Sequence, residues 1–154
     1  MKCREKLAAY LKQNGAAFSE MKHPTAYTSQ EVAAAQGVSG KQLAKVVIVE
    51  ADEKPVMLAL QASALVDMKE AAKMLGAKAV RLAKEGEFAD LFPDCEVGSM
   101  PPFGNLYNVP VYVDEGLASL REIVFEVGSH TETFKMKYAD YARLANPQVK
   151  AFAK

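Results

Sequence analysis

The stretch Leu43-Ala44-Lys45-Val46-Val47-Ile48-Val49-Glu50 constrains this chain more than any other. It is β-branched and nearly continuous, the pattern of a strand buried on both faces. Asp52-Glu53-Lys54-Pro55 is turn chemistry, and Val56 to Gln61 returns as the hairpin partner. Helical spacing runs from Arg4 to Asn14, with Gly15 as its stop. Thr28-Ser29-Gln30-Glu31 reads as a capping box for a helix through Ala35 that Gly37 ends, and Asp67 with Glu70 opens Met68 to Leu75 before Gly76. Short strands are expected at Ala17 to Met21, Lys78 to Leu82, Glu96 to Ser99, Val111 to Val113, Ile123 to Val127 and Thr133 to Lys137. Short helices are expected at Glu85 to Leu91, from Asp114 to Leu120, and at Tyr138 to Leu144. Strands and helices mix without strict alternation. The expected fold is α/β of the α+β type: a mixed, mostly antiparallel sheet or barrel surrounded by helices.

The 154 residues fit one domain spanning 1–154. Half the chain is apolar and 19 basic residues balance 19 acidic ones, which excludes an intrinsically disordered chain. The apolar runs are too short for a spanning helix, and the charged start Met1-Lys2-Cys3-Arg4-Glu5-Lys6 has no signal-peptide core. Zero net charge speaks against a protein that coats nucleic acid, so any RNA contact must be local. Cys3 and Cys95 have neither metal-ligand nor redox-motif spacing, which predicts free thiols in a reducing, cytoplasmic setting.

Three places break the rules of a packed domain. Lys45 shares a strand face with Val47 and Val49, so its ammonium either reaches solvent at a strand end or enters a polar pocket with an anionic or carbonyl partner. In Gly98-Ser99-Met100-Pro101-Pro102-Phe103-Gly104, the prolines stiffen the backbone and lack N–H groups. The amides of Ser99, Met100, Phe103 and Gly104 are then free to hold a water or an oxyanion, unless the loop is only a structural turn over the core. Gly128-Ser129-His130 lies between two strands, where His130 either orients a substrate or water, or merely caps the turn. Phosphate-binding glycine loops and a serine elbow are absent, and two His with two scattered Cys make no zinc set.

In this order, with His23-Pro24-Thr25-Ala26-Tyr27-Thr28 and Gly40-Lys41-Gln42-Leu43-Ala44-Lys45 ahead of them, these motifs resemble the YbaK/prolyl-tRNA synthetase-associated editing superfamily over His23 to Leu144. The resemblance implies a YbaK-like fold. It also implies hydrolysis of the ester of a mischarged tRNA, without metal or other cofactor, by water held by backbone and substrate. By position, Lys45 matches the essential lysine that engages the terminal phosphate or the ester. Gly98, Ser99 and Gly104 match the loop that holds the water. Met100, Pro101, Pro102, Phe103, Gly128, His130, His23 and Thr28 fall at substrate-binding positions. His130 tilts the expected substrate toward tRNA-Pro carrying alanine or another small residue, acted on in trans. The expected partners are the acceptor end of aminoacyl-tRNA and prolyl-tRNA synthetase, with no membrane. Competing readings are a Cys-tRNA(Pro) deacylase of the YbaK type, a non-catalytic tRNA- or synthetase-binding module, and a Schiff-base enzyme using Lys45.

Overall fold

The computed structural model describes residues 2–154; Met1, the first residue of the charged N-terminal run, lies outside them. The central hairpin forms as the sequence indicates. Strands β2 (Ala44–Ala51) and β3 (Lys54–Gln61) pair antiparallel from Ala44 opposite Gln61 to Ala51 opposite Lys54. The turn tightens onto Asp52 and Glu53, both at positive φ, the geometry of a two-residue hairpin loop. Pro55 is therefore drawn into β3, beyond the stretch that pairs with the next strand. Alternation buries both faces: Ala44, Val46, Ile48, Met57 and Ala59 enter one cluster, and Val47, Val49, Val56, Leu58 and Leu60 the other. That is why the run reads as continuously apolar.

Two sheets result. One has the order β4-β2-β3-β5-β8, where β4 is Val80–Leu82, β5 Val111–Asp114 and β8 Gln148–Lys150; its β3–β5 and β5–β8 pairs are parallel. The other, β1-β7-β6, is wholly antiparallel and comprises Phe18–Lys22, Glu132–Lys137 and Glu122–Glu126. They meet at an isolated parallel bridge, Leu43 with Val124. The fold is therefore mixed α+β and the barrel does not close. Beyond the bridge, β2 and β6 diverge.

Helices α1 (Cys3–Gln13), α2 (Ser29–Gln36), α3 (Met68–Leu75), α4 (Glu85–Phe88), α5 (Glu115–Ala118) and α6 (Tyr138–Ala145) surround the sheets. Helix α1 buries Leu7 and Leu11 in the main core with Phe103, Phe125, Phe134 and Tyr141. Helix α2 begins where Thr28 Oγ1 accepts from Glu31 N at 3.1 Å and ends on left-handed Gly37, a cap worth about 1 kcal/mol. No described helix is long and apolar enough to cross a membrane.

The structure departs from the sequence expectation at two places. Glu96 to Ser99 forms a turn rather than a strand: Gly98 has φ +87°, and both Ser99 N and Ser99 Oγ donate back to Glu96 O. Cys3 and Cys95 are joined as a disulfide, with Cα atoms 5.0 Å apart. Their separation of 92 residues carries no pairing signal in a sequence. What brings them together is α1 docking on the segment ahead of the glycine–proline loop, where Cys3 N donates to Asp94 O.

Candidate functional site

The Gly128 turn and the Gly98 turn are stitched to each other. Gly128 N donates to Ser99 O at 2.8 Å, and Glu96 N donates to Gly128 O at 2.9 Å. Gly128 has φ +97°, and a Cβ there would lie 2.5 Å from Cys3 Cβ, so the close packing of α1 requires a glycine. Gly98 lies over the histidine, since a Cβ on it would sit 4.0 Å from His130 Cε1. The segment of His23 closes the other side: His23 N donates to Thr131 O and Ala26 N to His130 O. This carries the exposed ring of Tyr27 to 4.7 Å from the His130 ring.

His130 stands between two glutamates. Its Nε2 is 3.7 Å from Glu96 Oε2 at the surface, and its Nδ1 is 3.7 Å from Glu126 Oε2 on the buried side. Glu126 is the last residue of β6, and its side chain is only 12 % exposed. Burial, with the nearby Glu96 charge, pushes its pKa up to about 8, so the carboxyl holds its proton at neutral pH. Glu126 Oε2 and His130 Nδ1 are both buried without a hydrogen-bond partner. Sequence reasoning missed Glu96, Glu126 and Tyr27. The available signal was an acid at the end of the apolar strand Ile123-Val124-Phe125, four residues before the histidine.

Lys45 is half-buried, and its Nζ donates to Ala64 O. Burial lowers its pKa, and among the described residues no carboxylate pairs with it. It lies on the other face of β2 from the glycine–proline loop. Met100 and Phe103 pack in the cluster that takes Ala44 and Ile48, the opposite face of β2. Lys45 and Glu126 each lie two residues beyond the Leu43–Val124 bridge, and alternation sets both on the face that Leu43 and Val124 share.

The remaining residues divide plainly. Gly98, Ser99, Gly128, His130 and His23 come together. Ser99 is fully buried with its hydroxyl donating to Glu96 O, so it is no nucleophile. His23 Nδ1 lies 2.8 Å from Pro24 O, and its Nε2 is buried without a partner. Thr28 stands apart as the cap of α2. Pro101, Pro102, Phe103 and Gly104 turn into the core, where Tyr141 Oη donates to Pro102 O and Gly104 presses on Val109 O. Of the four amides expected to be free, Ser99 N is bound to Glu96 O and Phe103 N to Pro101 O, leaving Met100 and Gly104. Among the described residues, no three His, Cys, Asp or Glu side chains converge as metal donors.

Comparison with known proteins adds the family. The profile of the aminoacyl-tRNA editing domain matches residues 23–144. The Escherichia coli (strain K12) multifunctional Ser/Thr-tRNA deacylase ProXp-y is 28% identical, covering 96% of this chain and 91% of its own length. A Bacillus cereus (strain AH187) proline–tRNA ligase is 28% identical over 74% of this chain, which spans only 20% of that ligase. Two solved structures share the fold: hypothetical protein APE2540 (TM-score 0.86, 20% identity, covering 97% of this chain and 99% of that one) and a protein described as a candidate trans-editing enzyme for prolyl-tRNA synthetase (TM-score 0.83, 21% identity, 100% and 98%). With the family profile spanning most of a chain that folds this way, the protein belongs to the aminoacyl-tRNA editing domain family and is an aminoacyl-tRNA deacylase.

Proposed function

We propose that this chain hydrolyses, in trans, the ester of tRNA-Pro mischarged with alanine or another small amino acid. The carrying observation is the face shared by Lys45 on β2 and Glu126 on β6, with His130 beside the latter. A substrate laid along the diverging strands meets an ammonium without a carboxylate partner at one side and an imidazole at the other. The Lys45 charge suits the terminal phosphate or the negative charge that develops on the ester. The imidazole, hemmed in by Glu126, Gly98 and Tyr27, leaves little room for a large side chain. The exposed Tyr27 ring offers a stacking surface for the terminal adenine. Water is the attacking group in this reading, with Ser99 buried and both cysteines bonded. An ester is reactive enough for orientation alone to supply several kcal/mol of the catalysis.

Such a second sieve has a physical reason: a synthetic site rejects a residue smaller by one methylene by only about 1–3 kcal/mol. A neutral protein holds tRNA weakly, which fits recruitment by prolyl-tRNA synthetase in the cytoplasm. The test is ester decay on tRNA-Pro charged with alanine, serine, threonine, cysteine and proline, with wild type and Lys45→Ala. Rapid loss of a small non-cognate ester, abolished by Lys45→Ala, is expected. Equal decay with and without wild-type protein overturns the proposal, and preference for the cysteinyl ester replaces alanine by cysteine.

A further inference from the structure

Glu126 stands out as a buried acid to which the hydrolysis just described assigns no chemical step. Its Oε2 and His130 Nδ1 are both sealed from water and both without a partner, and they face each other at 3.7 Å. That separation is too long for a hydrogen bond, and closing it by under an ångström satisfies two atoms whose isolation costs free energy. Hydrogen bonds in a reactive site often tighten only when substrate arrives. We propose that Glu126 is a positioning residue: it decides which ring nitrogen of His130 carries hydrogen, and so whether His130 donates or accepts toward the aminoacyl end of the substrate. This rests on His130 touching substrate, as proposed above.

The groups around the pair support an assignment to these two residues. From the Gly98 turn comes Glu96, 3.7 Å from His130 Nε2 and 59% exposed. From β7 the residue opposite Glu126 is Thr133, whose hydroxyl donates to Gln36 Oε1 and brings no charge. Lys45, at the equivalent position of β2, is bound to Ala64 O. The loop before α2 contributes Tyr27, stacked against the imidazole. No other described group is placed to bond Nδ1.

While Glu126 holds its proton it can donate to Nδ1 of a neutral imidazole, which leaves the ring hydrogen on Nε2, on the side of Glu96. When Glu126 releases its proton to solvent near pH 8, the carboxylate must accept from Nδ1. The ring hydrogen then moves through solvent from Nε2 to Nδ1, and Nε2 becomes an acceptor.

The decisive measurement is ring ¹⁵N NMR of the labelled protein from pH 6 to 9.5, with His130→Asn identifying the resonances. Wild type is expected to pass from the Nε2–H to the Nδ1–H tautomer around pH 8, and Glu126→Gln, whose amide does not titrate, is expected to show no such passage. The same passage in Glu126→Gln, or none in wild type, overturns the proposal. In deacylation, Glu126→Ala is expected to lower kcat about tenfold or more with little change in KM. Glu126→Gln recovers most of that at pH 7 and lacks the wild-type change near pH 8. Unchanged kcat in a folded Glu126→Ala also overturns it, and if Glu126→Ala does not fold, Glu126→Gln still decides. A wild-type protein inert on every charged tRNA defeats the proposed function instead, and the NMR result stands apart from it.

Discussion

A carboxyl group that keeps its proton to about pH 8 in the fold, against an ordinary 4.5, couples Glu126 to stability as well as to chemistry. Between those two values the native state binds the proton and the unfolded state does not, so stability falls as pH rises through that window. Above pH 8 both states are ionised and the full cost remains, on the order of a few kcal/mol. Glu126→Gln removes the ionisation and keeps the shape. The variant should therefore match wild type in urea unfolding near pH 5 and exceed it at pH 8.5. A gap that does not widen with pH would show that the carboxyl is less desolvated than its surroundings indicate. An acid at the end of an apolar strand is visible in the sequence, but alternation alone sends such a residue to either solvent or interior. Only the fold places the Gly98 and Gly128 turns over Glu126.

At the scale of elements, what was legible was local. The hairpin, the caps at Thr28, Asp67 and Asp114, and the glycine stops at Gly37 and Gly76 follow from residues a few positions apart. The parallel pairs were not legible, since β8 is three residues long and joins β5 across a gap of more than thirty positions. The motif order pointed to Lys45 and His130. Yet the proline pair lies in the core because Phe103 needs burial against Phe125 and Tyr141, a demand that loop composition does not reveal. Asp114 joins the local and the distant. Its Oδ2 accepts from Gly116 N at 2.9 Å to cap α5, and its Oδ1 accepts from Phe152 N at 2.9 Å and Ala153 N at 3.0 Å to hold the C-terminal segment. It is 7% exposed, so Asp114→Ala strands three amides in or near the interior. A loss of about 2–4 kcal/mol in urea unfolding is expected, with Asp114→Asn recovering part through its one remaining carbonyl oxygen.

The Cys3–Cys95 bond acts on the whole molecule, tying α1 to the turn that carries Glu96 and Gly98. It closes a loop of 92 residues, and restricting the unfolded chain on that scale stabilises by about 2–4 kcal/mol in practice. For a chain this long, that corresponds to roughly 5–15 °C in Tm. Thermal unfolding with and without a dithiol reductant, and of Cys3→Ser, should show that loss in both cases, with reductant leaving the Tm of Cys3→Ser unchanged. The bond also bears on the site, since Cys3 packs directly on Gly128, whose N–H fixes Ser99 O. Reduction should therefore make the amides of Gly128 and Ser99 exchange faster than those of α3, which packs in the cluster on the far face of the hairpin. Two titratable thiols in the unreduced, folded protein would return the pair to the free state that its sequence spacing indicated, and would leave packing alone to hold α1 against the His130 turn.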